Sequence, residues 1–329
     1  MIISKTPYRI SFCGGGTDIR EFYQKETGIV ASTTIDKFLY VILRKPLGLV
    51  ESKFRLNYRA VEFCDTIDQI NHPIIRETLR YFKIDHPLEV TTFADIPAST
   101  GLGSSSAFAV GLVNGLAGLS GKLMPKSELA RIASYIEIDV LKRNIGKQDH
   151  YASSFGGLNT FRFNQDESVN QEPILFNPST KKFLEESSLL FYTGQTRNAS
   201  EILEKQVKNI EDKRIDLKKM CSQVVEFQKL IAEENSIEKI GHLLMEGWRT
   251  KKSLANGITN ERVEELFSKG IESGAWGGKL LGAGGGGFLF FLASPEKRSS
   301  VRKALSNFLE VKIAFESEGS KIIYYDGGI

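Results

Sequence analysis

Residues 97–114 read PASTGLGSSSAFAVGLVN: a proline, two glycines separated by leucine, three consecutive serines, then a mainly apolar run. The stretch before it, LEVTTFADI at 88–96, has the β-branched character of a strand, and the apolar run predicts a helix from about Ser104 to Leu119. The junction is therefore strand, loop, helix, with Gly101 and Gly103 letting the backbone approach a ligand closely. Free amides and the positive end of the helix dipole make such a junction an anion site. Taken alone, the same letters also describe a glycine turn followed by a helix capped by Ser104 and Ser106. Two other phosphate-binding patterns fit less well. No GxxxxGK[ST] occurs, so a P-loop is excluded. Gly101, Gly103 and Ser106 imitate a relaxed GxGxxG, but that fingerprint follows the first strand of an alternating βαβ unit, and here several strands come first.

Working outward, the preceding residues read as strands (KTPYRISFC, GIVASTTI, KFLYVILRKP, KFRLNY) with one helix at HPIIRETLRYF. After the loop helix comes a second from about Lys126 to Arg143, where Leu129, Ile132, Ala133, Ile136 and Val140 recur at helical spacing; the strand GGLNTFRF follows. Residues 164–186 are polar and hold Pro173 and Pro178, which places a domain boundary there and divides the chain into 1–175 and 176–329. Beyond it lie the strand SLLFYTG and charged helices from about 198 to 234, 237 to 254 and 261 to 273, then strand, helix, strand. Strands and helices do not alternate regularly, so the class is α+β rather than a doubly wound sheet.

Composition narrows the partner. The 43 Lys and Arg nearly balance 40 Asp and Glu over 329 residues, with no long block of one sign, which speaks against nucleic acid or an anionic membrane and for a small molecule. Cys13, Cys64 and Cys221 form no CxxC and no Cys/His pairing, so neither a disulfide framework nor a zinc site is expected. The N-terminus lacks a signal-like apolar core and GFLFFLA is too short to span a bilayer; a cytoplasmic protein is expected.

Two further glycine-rich loops flank the first. FCGGGTD (12–18) ends in Asp18, whose carboxylate could accept hydrogen bonds from sugar hydroxyls, or could simply close a hairpin turn. In KLLGAGGGGFLFF (279–291) the backbone entropy of five glycines before an apolar strand is best understood if another backbone or a ligand passes close by.

Together and in this order, PYRISFCGGGTD, PASTGLGSSSA and LLGAGGGGF resemble the three motifs of the GHMP small-molecule kinases, the family of galactokinase, homoserine kinase and mevalonate kinase. Over nearly the whole chain, HPIIRETL, IEID, IGKQDHYASSFGGLN and LLFYTGQTRNASEIL are similar to its heptose 7-phosphate kinase subgroup. The resemblance implies a two-domain α+β fold: an N-terminal domain like the second domain of ribosomal protein S5, and a ferredoxin-like C-terminal domain. It implies ATP-dependent phosphorylation of the anomeric hydroxyl of D-glycero-D-manno-heptose 7-phosphate to the 1,7-bisphosphate, for GDP-heptose and surface-glycan supply. The alternatives are another anomeric sugar kinase, acting on fucose or an unphosphorylated heptose, or a silent sugar and nucleotide sensor.

By resemblance, the amides of Gly101, Leu102, Gly103, Ser104, Ser105 and Ser106 cradle the ATP phosphates, and Ser105 with Glu137 holds Mg2+. Asp149 stands near the acceptor hydroxyl, as proton acceptor or as orienter, and Arg9 stabilises transferring charge. Gly15, Gly16, Thr17, Asp18, Gly284 and Gly285 are expected at the sugar. Arg197 and Lys279, with Arg20 and Lys147 behind them, are candidates for phosphate contacts. One position departs from the pattern: His150 stands where glutamine is expected.

Overall fold

The β-branched segments of the first hundred residues form one large sheet, in a computed structural model that describes all residues except 48–50, 176, 196–198, 234–235 and 328–329. Strand Ile2–Cys13 runs antiparallel to Gly28–Arg44, a single 17-residue strand where two were expected. The polar pair Asp36–Lys37 does not break it. Asp36 is tied off sideways instead, its amide donating to Ala314 O at 2.9 Å and its carboxylate accepting from Ala314 N at 2.9 Å. Register shifts at Pro7/Arg9 and Ser11/Cys13 absorb the curvature of so long a pair. The sheet runs Lys321–Tyr325, Ile2–Cys13, Gly28–Arg44, Leu88–Ala94, Phe54–Asn57, Val61–Cys64, with Asn159–Phe163 and Val169–Pro173 extending it beside Gly28–Arg44.

The helix Ser104–Leu119 forms where its apolar run predicts, and it is buried from Ser106 to Ala117. Such an all-round apolar helix needs cover on every side. The sheet lies beneath it, where Ser4 Oγ donates to Gly111 O at 2.7 Å, and the following helices lie beside it.

The second helix departs from expectation. It is α-helical only over Lys126–Ser134 and continues as a π-helical turn, Tyr135–Val140. Among the described residues, three α-helices escaped the reading: the single turn Arg20–Tyr23; Gln148–Phe155, too short for a convincing period; and Pro178–Ser187, whose polar sequence conceals an Asn177 cap accepting from Thr180 N at 2.7 Å.

The later elements build a three-stranded antiparallel sheet in the order Ser188–Tyr192, Phe288–Ala293, Ala275–Leu280. Residue Glu310 adds an isolated bridge to Phe191. Helices Ile237–Ser253, Glu261–Glu272 and Pro295–Ala304 cover this sheet, with Trp248 buried in its core, and Arg214–Ala232 packs between Ile237–Ser253 and the first sheet. The expected boundary at 175/176 lies between strand Val169–Pro173 and helix Pro178–Ser187, with residue 176 outside the described residues. The closing strand crosses back over it, pairing Lys321–Tyr325 with Ile2–Lys5 in the first sheet. Phe12 joins the halves, stacked on Phe227 at 5.0 Å and edge-on to Phe290 at 5.8 Å, which seats the loop after it between them.

The third glycine loop meets the first backbone to backbone. Phe288 N donates to Thr100 O at 3.2 Å, and a Cβ on Gly282 would stand 2.6 Å from Gly101 Cα. Gly282 and Gly101 also have φ of +77° and +86°, which side chains disfavour. Gly282→Ala should therefore cost about 3 kcal/mol, the sum of left-handed strain and overpacking. A thermal melt checks this, and a midpoint unchanged within about a degree would mean that the two loops do not pack so closely.

Candidate active site

Gly103 occupies the N-cap of the loop helix at φ +79°, so no side chain caps it; this corrects the expectation that Ser104 and Ser106 do so. The first helical bond runs from Ala107 N to Gly103 O at 2.9 Å, and the amides of Ser104, Ser105 and Ser106 lie ahead of that ladder. They point their partial positive charge at the loop mouth.

Ser105 is exposed and faces Glu137. Its hydroxyl donates to Glu137 Oε1 at 2.6 Å. Glu137 sits on the π-helical turn, whose extra residue per turn re-aims a side chain that a regular helix would direct elsewhere. It is fully buried. Its second oxygen, Oε2, lies 2.9 Å from His150 Nε2, and Arg143 Nη1 reaches both Glu137 Oε1, at 2.6 Å, and Ser105 Oγ, at 2.9 Å. Burial pushes the Glu137 carboxyl up, but the His150 hydrogen bond, the charges of His150 and Arg143 and the Ser105 hydroxyl outweigh it and hold the group below the usual glutamate range. His150, the departure from the family pattern, thus contacts Glu137 directly. A carboxylate kept ionised beside a hydroxyl is a donor set that suits a hard divalent cation.

Arg9 lies on the first strand and Asp149 in the first turn of Gln148–Phe155. They form a two-pronged pair: Nε to Oδ1 and Nη2 to Oδ2, both 2.6 Å. Arg9 Nη1 also donates to Gly101 O at 2.7 Å, binding the pair to the central loop. A Cβ on Gly103 would stand 3.1 Å from Asp149 Oδ2, so glycine there lets the carboxylate reach the helix start. Arg9 is 4 % exposed and Asp149 20 %, which leaves the aspartate as the accessible partner.

The loop at 12–18 closes the other side. Asp18 is buried, with Oδ1 accepting from Gly16 N and Gln148 Nε2 and Oδ2 accepting from Gln148 N, all at 3.0 Å. Burial raises its carboxyl above the ordinary range against these hydrogen bonds. The Thr17 hydroxyl is turned into the fold, donating to Gly14 O at 2.8 Å. Gly284 packs against Ile258, and Gly285 N donates to Ile258 O at 2.8 Å.

Among the expected cations, Arg20 and Lys147 converge on Glu167, Arg20 at 3.0 Å, and Arg20 also binds Asp139 at 2.7 Å. Arg197 lies outside the described residues. Lys279 points inward, its ammonium donating to Phe12 O at 3.0 Å. Beside it stands Lys251, which the sequence reading overlooked among the charges of its helix; it donates to Gly15 O at 3.1 Å. A signal for it existed, because Ile240, Leu244, Trp248 and Lys251 fall on one buried stripe. Burial pushes both ammonium groups down to about 8. Arg143 was overlooked as well, and only the fold brings it to Glu137.

Residues 71–157 match the GHMP kinases N terminal domain and residues 227–311 the GHMP kinases C terminal domain, together just over half of the chain. Over 317 residues the chain is 29 % identical to the D-glycero-alpha-D-manno-heptose 7-phosphate kinase of Campylobacter jejuni, covering 92 % of this chain and 93 % of that enzyme. It is 26 % identical over 350 residues to the L-fucokinase/L-fucose-1-P guanylyltransferase of Bacteroides fragilis, spanning 93 % of this chain and 36 % of that protein. A crystal structure of a D-glycero-D-manno-heptose 1-phosphate kinase from Bacteroides thetaiotaomicron superposes with a TM-score of 0.80 over 99 % of both chains, at 22 % identity, a likeness of fold. With both domains matched in order, and Arg9, Asp149, Ser105 and Glu137 gathered around the central glycine loop, the chain belongs to the GHMP kinase family and is an ATP-dependent kinase.

Proposed function

We propose that the protein phosphorylates the anomeric hydroxyl of a heptose 7-phosphate, giving the 1,7-bisphosphate, with ATP as donor and Mg2+ as the accompanying ion. The observation that carries this reading is the Arg9–Asp149 pair at the start of the loop helix, within a chain similar over 92 % of its length to a heptose 7-phosphate kinase. In this reading the amides of residues 101–106 hold the triphosphate. Asp149 receives the acceptor hydroxyl and aims its oxygen, while Arg9 fixes the aspartate and places positive charge where negative charge moves. Ser105 and Glu137 hold the ion, which when bound neutralises charge on the phosphates. Arg143 gives up its contacts with these two oxygens as it does so.

The similarity to an L-fucokinase supports a second reading, an anomeric kinase for an unphosphorylated sugar. A panel of heptose 7-phosphate, heptose and fucose with ATP separates the two. Heptose 7-phosphate should give the highest kcat/KM, and equal turnover without the 7-phosphate would overturn the first reading.

Ser105→Ala tests the proposed ion site. Loss of one oxygen ligand should raise the Mn2+ dissociation constant of the ATP complex about tenfold, seen by electron paramagnetic resonance, with thermal stability little changed. An unaltered Mn2+ affinity would remove Ser105 from the ion's surroundings.

A further inference from the structure

Among the described residues, two buried ammonium groups make no ion pair with a carboxylate. Lys251 is 8 % exposed and finds only Gly15 O at 3.1 Å and Gln206 Oε1 at 3.4 Å; Lys279 is 8 % exposed and finds only Phe12 O at 3.0 Å. An ammonium has three hydrogens to donate, and taking it out of water is costly unless an anion or full hydrogen bonding compensates. Each of these lysines therefore keeps unused donors inside the protein. They come from different elements of the second half, the helix Ile237–Ser253 and the strand Ala275–Leu280. Both reach the same loop of the first half, residues 12–16. A Cβ on Gly16 would lie 3.6 Å from Lys251 Nζ, beside the side chains of Leu217 and Leu254.

The place of this pair relative to the Arg9–Asp149 pair decides its meaning. Arg9 and Asp149 bind each other and so neutralise the acceptor end, and the nearest carboxylate to Lys251 on the loop side, Asp18, has its oxygens committed to Gly16 and Gln148. Lys251 and Lys279 bring two positive charges here against the one carboxylate of Asp18, whose hydrogen bonds come from neutral amides, so net positive charge is left over. The other basic candidates for a phosphate contact, Arg20 and Lys147, are already neutralised by Glu167 and Asp139.

We infer that Lys251 and Lys279 form the subsite for the phosphomonoester of the acceptor, against the loop of residues 12–16. The inference rests on the proposed reading of the substrate as a sugar phosphate and adds the residues that would tell it from the free sugar. A phosphomonoester carries about −1.5 to −2 charge at neutral pH and three acceptor oxygens, which matches two ammonium groups with spare donors.

The test compares kcat/KM for heptose 7-phosphate with kcat/KM for heptose in the wild type, Lys251→Met and Lys279→Met. This ratio is independent of the fraction of each variant that folds, so partial misfolding does not obscure it. The wild type should favour the phosphate, and each methionine variant should lower the ratio about 30-fold, as expected for one charge-assisted contact. A ratio that stays at the wild-type value in both variants would overturn the subsite, making the lysines braces of the loop, while the proposed substrate stands. A wild type with no preference for the phosphate would overturn the substrate reading and the subsite with it. A third arm uses binding alone: heptose 7-phosphate should raise the melting temperature of the wild type more than that of Lys251→Met or Lys279→Met, and equal rises would count against the subsite.

Discussion

Asp149→Asn is expected to lower kcat about 1000-fold while changing ATP affinity by less than about threefold. Asparagine keeps the shape of the side chain but loses the charge, so the two 2.6 Å contacts with Arg9 cannot both persist, since an amide nitrogen would face a guanidinium nitrogen. Whether Asp149 takes the proton of the acceptor hydroxyl or only orients it, the substitution removes both services. The nucleotide side is built from other groups. Arg9 still reaches Gly101 O, and the amides ahead of Ala107 belong to the helix itself. Steady-state kinetics and calorimetric ATP titration separate the outcomes. Normal turnover would take Asp149 out of the mechanism, and a large loss of ATP affinity would make the pair a support of the phosphate loop instead.

How much of this was legible in the sequence follows from what each feature depends on. The loop helix was readable to the residue, because glycines, serines and an apolar run are local signals and Ser104–Leu119 is set by them. The reason for the third glycine loop was readable in kind: a backbone does pass close by, and it is that of Thr100 and Gly101. The capping role of the serines was not, because Gly103 takes the N-cap in a left-handed conformation that serine disfavours. Glu137 was singled out by resemblance alone. Its burial depends on a π-helical turn, and no pattern of period 3.6 announces one. Lys251 shows the opposite failure: its helix carries a readable buried stripe, but a lysine is assumed to be solvated even where the stripe includes it. The convergence of Arg143, His150 and Ser105 on one carboxylate joins residues from 6 to 32 positions apart from Glu137, which only packing can bring together.

Glu137→Gln is the second substitution with a large expected effect, and it acts on stability and catalysis together. The carboxylate is fully buried and compensates Arg143 at 2.6 Å, with His150 at 2.9 Å on its other oxygen. Breaking such a pair from one side leaves charge uncompensated, a loss of about 3 kcal/mol at neutral pH. The acid limb should change in a defined direction. In the fold Glu137 is held below its ordinary value of 4.5, so its contribution is complete above that pH and is lost as the pH falls through the lower folded value. The variant lacks this group and should lose less stability on acidification than the wild type, starting from a lower plateau. Catalysis should fall about 1000-fold in kcat/KM, because the proposed ion loses its charged ligand. Chemical denaturation at a series of pH values, run beside Mn2+ titration of the ATP complex, reads both effects. A variant with unchanged acid dependence would mean that Glu137 is not ionised against Arg143, and unchanged Mn2+ affinity would place the ion elsewhere on the loop.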